Sequence, residues 1–448
     1  MQTGSDVSER LDKASVSWFH RRLLVVCGFG YFFDLMDLQI IAAAIPAIAA
    51  AWKLTSVESG IILSTSYLGL FIGSLGAGVL ADYLGRKKVF QITLLLFALL
   101  TGLAALSQNV VELVAFRFLI GLGLGGELPV VASLVSEFIP KDARGRYLSF
   151  LNGFNAFGAL AAAFIGVAVV PYKFGAVSGW QISFLIGAVP ALYIWFVRRG
   201  IPESPRWLKS RGMMAEAEQV LAKVTGSSAT PTADSGGSST PSEARKESPF
   251  RRLFDRDVAR TTLLCFVSWF CLSWVFYGIL VWLPSLLVSQ GFTLLHSLQV
   301  NLYLNLWGIP GFLASALLIE RVGRKKLLVG FIALSAVSIF VWGHSNTTLE
   351  LLGVGALTYF ATAGMMTANA SYTAELFPTP ARGTGLGASQ GLGRISAYVG
   401  ITSVGFLLGS IGVSGLYTIY TLLLVVPIIA VAALGKESRG KSLEAIAA

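Results

Sequence analysis

An all-α membrane protein of twelve transmembrane helices, in two pseudo-symmetric six-helix bundles, is the fold class this sequence predicts. Three observations predict it. Hydrophobic residues make up 54% of the chain and charged residues only 13%, whereas soluble domains carry roughly 25% charged residues. Apolar stretches long enough to cross a bilayer recur along the whole length. Two polar signatures then repeat at one fixed spacing. At a mean hydropathy of +0.70, a soluble fold of 448 residues cannot cover so much apolar surface, and the same composition excludes a disordered chain. The 48 Gly suit helices that approach closely in lipid.

A bilayer core of roughly 30 Å takes about 20 apolar residues per helix. Segments of that kind lie near 22–48, 57–81, 88–107, 110–137, 146–170, 179–198, 259–288, 296–319, 325–344, 349–376, 385–409 and 414–434. Between the sixth and seventh, residues 203–224 read as short amphipathic helices. The stretch 226–248, rich in Ser, Thr, Gly and Pro, reads as a flexible linker. The organisation expected is an N-terminal bundle at 1–198, a cytoplasmic linker at 199–258, and a C-terminal bundle with a cytoplasmic tail at 259–448. Residues 1–20 are polar and the first apolar run is too long for a cleavable signal peptide.

Charge sets the orientation. With the N-terminus inside, all but four of the 34 Lys and Arg fall on the cytoplasmic side. Lys53 and Lys173 fall outside, and Arg117 and Arg394 lie within spans. This is the positive-inside pattern, with both termini cytoplasmic. The net charge of +10 therefore follows from topology and points to no nucleic-acid partner. Cys27, Cys265 and Cys271 lie in apolar stretches without metal-ligand spacing.

The repeat is carried by loops. Gly78 to Lys88, with Asp82, Gly85 and Arg86, is echoed by Glu320 to Lys326, with Gly323 and Arg324. Glu137-Phe138-Ile139-Pro140 and Arg144-Gly145 are echoed by Glu375-Leu376-Phe377-Pro378 and Arg382-Gly383. Positive-inside bias explains the basic residues, but not a Gly, an acid and a Pro recurring in register. Two homologous six-helix halves do.

Charges inside a membrane are costly and usually face a cavity or a partner. Asp34 and Asp37 lie three apart, within about 60° on a helix. Counting from residue 22, Asp37 sits ~22 Å deep, and Arg117 sits ~10 Å from the outer end of span four. The two depths meet, so an Asp37–Arg117 pair is expected. It reads either as a proton-coupling pair or as a permanent structural one, with Asp34 the alternative carrier. Glu127 reads as a second protonatable group or as a packing residue beside Pro129. Arg394, ~14 Å from the inner side, reads as a carboxylate ligand, or as an Arg snorkelling inward or pairing with Asp34. Trp282 is expected in the interfacial belt. Asn152, Asn155, Asn301, Asn305, Asn369 and Gln390 are polar groups in spans, some for substrate and some for helix association.

These motifs resemble the major facilitator superfamily. The span two–three loop carries one signature, and Arg117-Phe118-Leu119-Ile120-Gly121 through Gly125-Gly126-Glu127 carries another. Pro202-Glu203-Ser204-Pro205-Arg206-Trp207 and Glu437 to Glu444 resemble the sugar-porter signatures, the second without its leading Pro. Sugar porters, organic-ion transporters and the synaptic vesicle glycoprotein group share these marks. Phe33-Asp34 with Asp37, Gly126-Glu127 with Pro129, Phe276 to Pro284, Tyr372 to Pro378 and Gly393-Arg394-Ile395 resemble the bacterial niacin (nicotinate) permeases. Aromatic-acid symporters share the Asp-x-x-Asp first span.

The resemblance implies a secondary transporter working by alternating access. It implies proton-coupled uptake, or symport, of a small aromatic carboxylate such as nicotinate, in the plasma (bacterial inner) membrane. It places Trp269 and Tyr277 on the cavity wall. The polar and charged groups inside the spans add Arg394, Asn152, Asn155, Asn369 and Asp34 as further substrate candidates and Asp37, Arg117 and Glu127 as coupling candidates. The resemblance also implies a gate of Asp82, Arg86, Glu137 and Arg144, matched by Glu320, Arg324, Glu375 and Arg382; the other reading of these residues is helix capping and topology. Alternatives are the same fold carrying a benzoate-type acid, a sugar or an organic ion, or a receptor that does not transport. No Walker motif is present, and no nucleophile or metal constellation points to an enzyme or a cofactor. Lipid, substrate and proton are the partners expected, and a monomer suffices.

Overall fold

The computed structural model describes residues 10–11, 15–189, 201–225, 251–255, 258–345, 347–378 and 381–437. The expected linker at 226–248, the second half of span six, the tail after 437, and the side chains of Arg144 and Asn152 lie outside the described residues.

Spans one to five are the helices Trp18–Trp52, Ser56–Leu84, Arg86–Ala104, Val110–Phe138 and Lys141–Val169. A two-stranded hairpin, Lys173–Phe174 against Val177–Ser178, precedes Gly179–Gly187, the described part of span six. The short helices Pro205–Ser210 and Met214–Thr225 follow, where amphipathic helices were expected. Spans seven to ten are Ala259–Ser289, Leu294–Val322, Arg324–Gly343 and Thr348–Leu376. Arg382–Leu434 holds spans eleven and twelve, separated at Gly412, whose φ of 66° breaks the helix.

Local sequence sets the ends. Spans four, eight and ten start at Asn109, Thr293 and Thr347, whose side chains accept backbone N–H groups of the first turn. Thr347 and Glu350 complete a capping box. Spans three and nine start instead at Gly85 and Gly323, with φ 98° and ψ 152° against φ 99° and ψ 151°. That left-handed region favours glycine, and the two loops adopt one conformation twice.

The contacts group the chain into two compact units. The first comprises Met1–Leu38, Gly69–Ala161 and Phe184–Ala244; the second comprises Gln39–Leu68, Ala162–Ser183 and Arg245–Ala448. In the first, span three packs on span four, and span two meets span four at Gly73, where a Cβ would lie 2.2 Å from Leu122 O. In the second, span eight meets span ten the same way at Gly311, where a Cβ would lie 2.1 Å from Phe360 O. The repeat thus extends from loops to helix contacts. Span seven packs along the helix of spans eleven and twelve, and Ser64 meets Thr402 at 2.8 Å.

Large apolar side chains such as Leu75, Leu99, Leu317, Val337, Phe406 and Leu422 are exposed, as lipid-facing positions require. Trp282 corrects the belt expectation. It is 2% exposed and its indole N–H donates to Ile401 O at 2.9 Å. Span seven is apolar on all sides, so composition does not separate its lipid face from its packed face.

Candidate functional site

Span one carries two buried carboxyl groups into the first unit. Asp37 accepts from Arg117 Nη1 at 2.9 Å and from the Thr101 hydroxyl at 3.0 Å. The Arg117 and Asp37 side chains are 1% and 2% exposed. Span one thus meets span three at Thr101 and span four at Arg117, and Asp37 has two donors as a carboxylate. Arg117 Nε and Nη2 have no hydrogen-bond partner among the described residues.

One turn along span one, Asp34 meets a different group. Its carboxyl contacts that of Glu127 from span four, and both are buried, at 3% and 0% exposure. Neither Glu127 oxygen receives a bond from an N–H or O–H donor among the described residues. Gly30 makes the room, since a Cβ there would lie 2.2 Å from Glu127 Oε1. The Tyr31 hydroxyl donates to Leu128 O at 3.3 Å beside it.

The second unit gathers an aromatic and polar wall. The Trp269 indole N–H donates to Thr373 Oγ1 at 3.0 Å, and the Thr373 hydroxyl donates to Asn369 O at 2.8 Å. Asn369 is 1% exposed. Neither atom of its side-chain amide, nor Ser273 Oγ, has a partner among the described residues. A Cβ at Gly393 would lie 2.9 Å from Ser273 Oγ and 3.1 Å from Trp269 Cε3, so span eleven closes on span seven at this glycine. Arg394 follows it, half-buried, with its charge acting on the Tyr277 phenol. Tyr277 packs on Tyr67 at 5.0 Å between ring centroids.

The predicted substrate candidates therefore divide. Trp269, Tyr277, Asn369 and Arg394 belong to the second unit, and Asp34 and the half-buried Asn155 to the first. Asn301 Oδ1 accepts from the Asn305 amide on its own helix at 3.2 Å and from the Tyr359 hydroxyl of span ten at 3.4 Å.

At the basic-loop ends, one arrangement occurs twice. Arg86 bonds Asp82 at 2.8 Å and Glu137 at 3.1 Å; Arg324 bonds Glu320 at 2.7 Å and Glu375 at 3.0 Å. The first cluster borders a cleft of about 180 Å³ lined by Gly78, Pro129 and Ser133 among others. Arg382 donates to Phe377 O at 3.3 Å.

Two residues of this region escaped the sequence reading. Glu203 accepts the backbone N–H groups of Arg86 and Lys87 at 3.0 and 3.2 Å, and Glu437 accepts that of Arg324 at 2.9 Å. Each carboxylate sits on the positive end of a helix that lacks a side-chain cap of its own. The signal was an acid in each of the two motifs that follow the two halves. His20 was also missed: it is buried and joins Ser17 at 2.9 Å to Phe138 O at 3.2 Å.

Comparison with known proteins fits this geometry. The family described as "Sugar (and other) transporter" matches residues 17–448. The chain is 36% identical over 444 residues to the "Niacin transporter NiaP" of Acinetobacter baylyi, covering 98% of this chain and 99% of that one. It is 34% identical over 429 residues to the "Putative niacin/nicotinamide transporter NiaP" of Bacillus subtilis, covering 95% and 98%. Among solved structures, the inward-open xylose transporter XylE of E. coli matches at a TM-score of 0.77 and 20% identity, covering 95% of this chain and 99% of that one. The chain belongs to the sugar (and other) transporter family and has the twelve-helix major facilitator fold.

Proposed function

We propose that this transporter takes up a small aromatic carboxylate, nicotinate first, together with a proton, by alternating access in a bacterial inner membrane. The basic loops and both termini then face the cytoplasm, and one chain is the working unit. The observation that carries the reading is the half-buried Arg394 acting on Tyr277, one residue after the Gly393 that lies against Trp269. A carboxylate that leaves water loses several kcal/mol of hydration unless a cation replaces it. A guanidinium replaces it with paired donors, and an aromatic face takes the ring. The named substrates of the two relatives support the choice of nicotinate over a sugar. Coupling is assigned to the buried acids of spans one and four, Asp37 with Arg117, and Glu127. The two matching Arg clusters, with Arg144 and Arg382, form the cytoplasmic gate, which closes in the outward-open state.

The test is uptake into proteoliposomes of radiolabelled nicotinate, nicotinamide, benzoate and glucose, with and without an inward proton gradient. Nicotinate uptake that rises with the gradient is expected. Glucose uptake, or nicotinate uptake indifferent to the gradient, contradicts the proposal.

A further inference from the structure

Trp269, Ser273 and Tyr277 follow one another at one-turn spacing on span seven, and Asn369 and Thr373 do so on span ten. The Trp269–Thr373 hydrogen bond of 3.0 Å fixes the register between the two helices. The helices run in opposite directions, so Ser273 and Asn369 stand at one level, each about 6 Å beyond that bond toward the middle of its span. Both side chains belong to residues only 1% exposed. Neither the Asn369 amide nor the Ser273 hydroxyl has a hydrogen-bond partner among the described residues. Elsewhere on span ten, the hydroxyls of Thr362, Thr367 and Thr373 each donate to the carbonyl four residues back.

A buried amide and a buried hydroxyl without partners are destabilising unless a bound group supplies the missing hydrogen bonds. Span eleven meets this level at Gly393, where a Cβ would lie 2.9 Å from Ser273 Oγ and 3.1 Å from Trp269 Cε3, and Arg394 follows it. One short stretch therefore gathers a flat indole, two neutral hydrogen-bonding side chains and a cation. The neutral pair suits a neutral acceptor, because a carboxylate gains more from a guanidinium. In a pyridine carboxylate the ring nitrogen is that acceptor. Its lone pair lies in the ring plane, so a ring laid flat on Trp269 presents it edgewise, where a side chain one turn away meets it.

Resting on the proposed uptake of an aromatic carboxylate, we propose that Asn369 and Ser273 recognise the ring nitrogen of a pyridine carboxylate and thereby select a heteroaromatic acid over its benzene counterpart. The Asn369 amide is the donor to the nitrogen, and the Ser273 hydroxyl orients it through the amide oxygen. Benzoate brings a C–H to the same edge and leaves the amide unpaired. In water the pyridine nitrogen is hydrated and the benzene C–H is not, so a pocket without these groups favours benzoate. The pair therefore sets the sign of the preference as well as its size.

Competition binding of nicotinate, its ring isomers picolinate and isonicotinate, and benzoate to the purified full chain tests this. Wild type is expected to bind nicotinate at least about tenfold tighter than benzoate, and tighter than either isomer, whose nitrogen lies elsewhere on the ring. Asn369→Leu is expected to weaken nicotinate by about tenfold or more and to leave benzoate unchanged or tighter, so that the preference vanishes or inverts. Ser273→Ala, the second variant should the first fail to fold, is expected to shift the ratio the same way. Equal losses of both acids in the variants, as a purely structural polar pair would give, overturn the assignment. A wild type indifferent to the presence or position of the nitrogen also overturns it, while leaving the carboxylate site standing. A wild type that binds neither acid overturns the underlying reading and this inference with it.

Discussion

Arg117 Nη1 lies 2.9 Å from Asp37 Oδ2 with both side chains almost wholly buried, so the charge of each is the main compensation of the other. Removing one partner of a buried pair costs about 3–5 kcal/mol, because the other stays charged in a poorly polarisable medium. Asp37→Ala is expected to lower the thermal unfolding temperature in detergent. The double variant Asp37→Ala/Arg117→Leu is expected to recover part of that loss. A double variant less stable than the single one would show that the pair is not a neutralising unit.

In the proposed gate, the twin clusters around Arg86 and Arg324 bear on the balance between conformations and not on affinity. Asp82→Ala and Arg324→Ala are each expected to reduce turnover by about tenfold or more, equivalent to ~1.4 kcal/mol. Equilibrium binding of nicotinate should change much less. Normal turnover with weakened binding would contradict the gate.

Glu203 holds the first amides of span three from more than a hundred residues away. A lost N-terminal cap costs about 0.5–2 kcal/mol. Glu203→Ala is expected to speed hydrogen exchange at Arg86 and Lys87 relative to the middle of span three. Unchanged exchange at those amides would show that the cap adds nothing.

The twelve spans were legible because lipid imposes length and apolar composition on each one. The Asp37–Arg117 pair was legible for a related reason: depth follows from residue counting, and two mid-span charges of opposite sign at one depth have few other solutions. Rotation about the helix axis was not legible. Trp282 was expected in the belt, whereas its N–H reaches Ile401 O; an apolar helix leaves no periodic trace of which face meets protein. Glu127 read equally as a packing residue for the same reason. Its contact with Asp34 depends on Gly30 facing span four, and spacing in one helix says nothing of the rotation of its neighbour. Glu203 and Glu437 were visible as motif residues, but their acceptors' partners are backbone amides distant in sequence.

The account rests most heavily on Arg394 as the carboxylate ligand, and competition binding of nicotinate and nicotinamide to purified wild type, Arg394→Ala and Trp269→Ala tests that directly. Loss of the guanidinium leaves the acid's charge without a partner at a cost of at least ~1.4 kcal/mol, or tenfold, while the uncharged amide loses little. Trp269→Ala is expected to weaken both alike, since the two share a ring worth ~0.5–1.5 kcal/mol beyond burial. A loss of well over tenfold for the acid alone in Arg394→Ala is the predicted result. Equal losses for acid and amide would make Arg394 a structural residue and contradict the carboxylate site.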